Sequence, residues 1–134
     1  MSDAVRFARR VFHWSGVYGL LVLAPQYLLE ERIGIDFPPA ITHPEHFYGF
    51  VGVALAWQLA FLLIARDPLR HRPLMLPAVA EKVLFAASTF ALFAAGRVGA
   101  AVVGAASIDL LLAALFLLSW RRLGPGTGAT SVSG

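Results

Sequence analysis

Leu74-Met-Leu-Pro-Ala-Val-Ala-Glu81-Lys82-Val-Leu-Phe-Ala-Ala-Ser-Thr-Phe-Ala-Leu-Phe-Ala-Ala-Gly96 is the stretch on which the fold turns. At about 1.5 Å rise per residue, a helix over it is long enough for a hydrocarbon core of about 30 Å. It therefore reads as a membrane span, and Glu81 and Lys82 as charges carried below its surface. An ionisable group there is costly unless it faces a partner or a cavity, which makes Glu81 the first candidate for function.

The rest of the chain repeats the pattern. Of 134 residues, 58% are hydrophobic and 14% charged, and the mean hydropathy is +0.71. That is too apolar for a small soluble domain, so the expected fold class is all-α, a polytopic four-helix up-down membrane bundle over residues 1–123. Spans are expected at about 11–29, 47–65, 74–96 and 98–120, read from the apolar runs. The absence of cysteine excludes disulfides, thiolate metal sites and cysteine nucleophiles. The first run resembles a signal peptide, but it is longer than the usual apolar region and no small-residue cleavage site follows, so it is read as a retained span.

Between the first two runs, residues 30–45 carry Glu30, Glu31, Asp36 and Glu45 with Pro38, Pro39 and Pro44, and read as an irregular loop outside the membrane. Gly49 and Gly52 of the second span are expected to let helices approach closely. The Gly-, Ser- and Thr-rich tail 124–134 reads as disordered and has no lysine where a phosphate-binding loop needs one.

Basic residues set the orientation. Arg6, Arg9, Arg10, Arg66, Arg70, Arg72, Arg121 and Arg122 fall at one end of the spans, with Arg32 and Arg97 at the other. Both termini are therefore expected in the cytoplasm. This distribution also accounts for the pI near 10.0 without nucleic acid. Membrane lipids, with membrane-protein partners or further copies of the chain, are the expected company.

Depth follows from orientation. Counting at about 1.5 Å per residue from the cytoplasmic ends, Glu81 lies about 9 to 10 Å in, Gln58 about 10 Å and Asp109 about 16 Å. His13 enters at a shallower level from the first span, and Lys82 is expected to snorkel toward the cytoplasm. Asp109 shares its face with Ala101, Ala105 and Ala113, a small-residue stripe expected to face other helices. The expected site is a pocket open to the cytoplasmic leaflet, lined by Gln58, Glu81, Asp109 and His13, with Glu81 and Asp109 as the candidate catalytic groups.

Each of these residues also has a plainer reading: a solvated helix start for Glu81 and Lys82, helix-to-helix hydrogen bonds for Gln58 and Asp109, an interfacial position for His13. His43 and His46 flank Glu45, but they sit in a proline-bearing surface loop, and no metal or cofactor is expected. His13 and His46 lie at opposite faces, so they cannot form a transmembrane haem pair within one bundle.

The stretch His43-Pro-Glu-His-Phe-Tyr-Gly-Phe-Val-Gly-Val-Ala-Leu-Ala-Trp-Gln58, with Ala65-Arg-Asp-Pro68 and Pro77-Ala-Val-Ala-Glu-Lys82, resembles small bacterial four-span proteins of unknown function. In hydropathy the chain is similar to the DoxX-like group and, more distantly, to the four-helix fold of emopamil-binding (EXPERA-type) sterol isomerases. The isomerase resemblance implies acids in a lipid-accessible pocket. Three functions stay open: a structural or accessory membrane protein, which the Gly and Ala faces favour; a binder or isomerase-type enzyme for a lipid-like molecule; and an oligomeric transporter subunit. A cavity reaching both Glu81 and Asp109 separates the second from the first.

Overall fold

A computed structural model describes residues 1–125, and the tail expected to be disordered lies outside the described residues from 126 onward. The described chain is helical, with long helices α1 (Asp3–Leu23), α3 (Pro44–Arg66), α4 (Met75–Ala94) and α5 (Ala100–Leu123) and a short helix α2 (Glu30–Asp36). Of these, α3, α4 with its preceding turn, and α5 are long and apolar enough to cross a membrane. Helix α1 is as long, but Arg6, Arg9 and Arg10 occupy its first turns.

The ends of each helix have local causes. Helix α1 starts eight residues before the expected position, because Ser2 caps it by accepting from the Val5 amide at 3.2 Å and Asp3 sits in its first turn, paired with Arg6. It stops at Leu23 because Pro25 has no amide to donate, and the chain tightens into a 3-10 turn, Ala24–Leu28. The expected irregular loop is corrected by α2: Glu30 and Glu31 favour its N-terminus, and Arg32 donates to Asp36 one turn on at 2.8 Å. Pro44 opens α3, and Pro68 disfavours its continuation past Arg66. Helix α4 ends in a Schellman turn: Gly96 has φ 70°, its amide donates to Phe93, and the Arg97 amide donates to Leu92, both at 2.9 Å.

Helix α1 lies against α3 and α4 against α5, and the two pairs join mainly where α1 meets α5; α3 and α4 barely touch. The close α1–α3 approach is made by Gly16 and Gly19. A Cβ on Gly16 would sit 2.8 Å from Leu62 Cγ, and one on Gly19 would overlap the Gln58 side chain. The glycines expected to do this do not: nothing lies within 4 Å of a Cβ on Gly49, and one on Gly52 would meet only the Tyr27 hydroxyl.

The four long helices bring their arginine-bearing ends together. Arg9 Nη2 donates to the Arg66 carbonyl at 3.2 Å and Arg72 Nε to the Trp120 carbonyl at 3.1 Å, so these side chains satisfy the last turns of α3 and α5. Arg72 also stacks 4.3 Å above the Trp120 ring, and Arg122 lies 4.8 Å from the Phe7 ring. Just inside this collar is the core, where Phe12 stacks on Phe116 at 4.3 Å and Phe61 meets Phe116 edge-on at 4.9 Å. The outer faces are apolar in the other direction: Leu21, Leu28, Val53, Leu59, Leu84 and Leu111 are exposed on all four sides of the bundle.

Candidate functional site

Above the aromatic core the bundle opens into a cavity of about 460 Å³. Its floor is polar. Gln58, buried to 1% exposure, donates from Nε2 to the Ala54 carbonyl of its own helix at 2.9 Å. Gly19 of α1, lacking a side chain, makes room for its Cδ and Oε1. From α4, Lys82 lies 3.3 Å from Asp109 Oδ1 on α5 and 3.6 Å from Glu81 Oε2, the second an ion pair outside hydrogen-bond reach. Its ammonium is also 5.4 Å from the Phe61 ring, so the cluster rests directly on the core.

The walls are apolar, from Tyr18 and Val22 of α1, Phe50 and Ala54 of α3, Phe85 of α4, and Val102 and Ala105 of α5. Ile33 and Phe37, at and just after α2, line its far end. Helix α2 is held there because Tyr48 donates its hydroxyl to Glu30 Oε2 at 2.7 Å while its ring stacks on Tyr27 at 5.8 Å. A second hollow of about 480 Å³ lies between α3 and α4. Phe50, Ala54, Glu81 and Phe85 line both, and the Phe50 and Phe85 rings stack 5.7 Å apart across the helices' gap.

Three of the four residues proposed from sequence thus meet: Gln58, Glu81 and Asp109 all line the cavity. His13 does not. It is exposed on α1 with its ring edge-on to Trp14, because the α1 face turned to α3 is the one carrying Gly16 and Gly19. Lys82 is corrected too. It does not snorkel to the basic end but is buried to 6% exposure, since two carboxylates within reach solvate the ammonium inside the bundle. The cavity also runs the other way from expectation, toward α2, because the aromatic core fills the space below the arginine collar. The small stripe on α5 divides: Ala113 is buried in packing, whereas Ala101 and Ala105 line the cavity.

Sequence reasoning missed Gly19, the Phe50–Phe85 pair and α2. The spacing Gly16-x-x-Gly19 on an apolar run is the signal that could have found the first. No family model, curated protein or solved structure matches the chain, so the chemistry of the cavity has to be read from the cavity itself.

Two acceptor atoms decide that chemistry. Gln58 Oε1 and Glu81 Oε2 are buried and accept no hydrogen bond from any described residue. A buried acceptor left unmatched costs about 1–3 kcal/mol. With all three ionised, Glu81, Lys82 and Asp109 carry one more negative than positive charge. With both carboxyls ionised, the floor presents acceptors and one excess negative charge beneath an apolar shaft, which suits an amphiphile whose head donates hydrogen bonds.

Proposed function

We propose that the chain is a four-span protein of a bacterial inner membrane, termini cytoplasmic, whose cavity binds a lipid-like molecule with a cationic, hydrogen-bond-donating head. The carrying observation is the cavity that reaches Glu81, Asp109 and the unmatched Gln58 oxygen at once. An accessory or purely structural bundle calls for close packing around those groups, and the packing is open there instead.

The crossing of α1 is supported by its length and its neighbours. Its 21 residues extend about 31 Å; it lies along α3, and its outward Leu21 is exposed. Arg9 at its start joins the collar formed with Arg66, Arg72 and Arg122, and such a collar belongs on the cytoplasmic side. Entry between α3 and α4, which barely touch, would admit a ligand from the bilayer. The isomerase resemblance agrees in kind with acids in a lipid-accessible pocket.

Decylamine, decanol and decanoate share a tail and differ in head, and so test the reading. In mild detergent, decylamine should raise the melting temperature at concentrations about tenfold or more below decanol, and decanoate should have no effect, since about 1.4 kcal/mol of head-group preference is a tenfold ratio. Asp109→Asn should erase that preference while leaving helicity intact. Equal responses to all three, or full preference in Asp109→Asn, would overturn the proposal.

A further inference from the structure

At the end of the bundle opposite the arginine collar, three side chains that the cavity does not use converge on the first turn of α3. His43 precedes the helix, Pro44 opens it, and Glu45 and His46 follow. The His43 carbonyl accepts from the amides of both His46 and Phe47, at 3.0 and 3.2 Å, which ties the residue before the helix to its first turn. The two imidazole rings then stand 5.6 Å apart, centroid to centroid, on the same side as the carboxylate.

The spacing is that of a metal-ligand set. His43 Nδ1 is 3.4 Å and His46 Nε2 3.9 Å from Glu45 Oε1, and one ligand atom from each residue can be chosen so that all lie within 4.8 Å. Zinc bonds of about 2.0–2.1 Å at tetrahedral angles place neighbouring ligand atoms about 3.3 Å apart. One edge is therefore already at that length, and the others close by small side-chain rotations at an exposed position. Glu45 has no arginine or lysine partner among the described residues, and the two imidazoles stand beside its carboxylate. The preceding acidic stretch, Glu30, Glu31 and Asp36, adds negative charge at this end against Arg32.

We propose that His43, Glu45 and His46 form a surface site for a divalent transition-metal ion of the zinc class. Two imidazoles and a carboxylate suit that class better than magnesium or calcium, which take oxygen ligands. Three protein ligands leave the remaining position to water, so the ion is exchangeable and independent of the buried cavity.

The test uses the full chain in detergent, without a histidine tag and stripped with chelator, titrated with zinc by calorimetry and with cobalt by visible absorption. One equivalent should bind. Losing even an outer-shell partner of a metal costs about 10–100-fold, so His43→Ala and His46→Ala should each weaken binding at least about tenfold. Glu45→Gln should weaken it too, and His71→Ala, at the other end of the bundle, should not. Melting in chelator establishes that each variant is folded. Absence of saturable one-equivalent binding, or binding undiminished in both histidine variants, would overturn the site.

Discussion

Lys82→Met should destabilise the bundle by about 3–5 kcal/mol, the range for removing one partner of a buried ion pair. The side chain is 7% exposed and stands between Glu81 and Asp109, whose side chains are 19% and 16% exposed. Methionine fills much of the volume, so the loss is electrostatic: two carboxylates remain in a largely apolar enclosure with no cation between them. Adding Asp109→Asn removes one of the two charges and should restore a large part of the stability, and this non-additivity separates a charge effect from a packing one. Unfolding in mixed micelles measures both. A cost below about 1 kcal/mol, the range of solvent-screened pairs, would show that water reaches the cluster freely.

Gly19→Val should cost about 1–3 kcal/mol and abolish the head-group preference. The first added carbon would fall on the Gln58 amide, so either α1 withdraws from α3 or the glutamine turns out of the cavity floor. Gly49→Val is the matched control: nothing lies within 4 Å of a Cβ there, so its effect should stay within about 0.5 kcal/mol. The contrast is informative because both are glycines in long helices, and by sequence alone Gly49 looked the better candidate for a close contact. Equal costs at the two positions would mean that α1 and α3 do not pack as described.

Counting along the chain was enough to expect Gln58, Glu81 and Asp109 in the same half of the bundle's length, because rise per residue is fixed once helices are assumed. All three line one cavity. Rotation about the helix axis is a different matter. Which way α1 faces depends on where Gly16 and Gly19 meet their partner, and this is what leaves His13 outside. The direction of Lys82 was equally hidden: snorkelling is the default for a lysine near a membrane surface, and only a carboxylate arriving from α5 makes the interior the better solvent. Helix boundaries were missed where caps, not hydropathy, set them. Val11 begins the apolar run of α1, yet the helix starts at Asp3, just after its cap Ser2. Residues 30–36 read as loop because prolines follow, although the acids and the Arg32–Asp36 pair give them a short helix of their own.

Everything about the site presumes that α1, the helix with arginines in its first turns, crosses beside the three more apolar ones. Because the chain has no cysteine, single cysteines introduced at Ser2, Thr42, Leu69 and Gly99 can be labelled in intact membranes with a reagent that does not cross them. Ser2→Cys and Leu69→Cys should react only from the side of the arginine collar, and Thr42→Cys and Gly99→Cys only from the other. Labelling of Ser2→Cys and Thr42→Cys from the same side would contradict the four-span bundle, and with it the buried position of the Glu81–Lys82–Asp109 cluster.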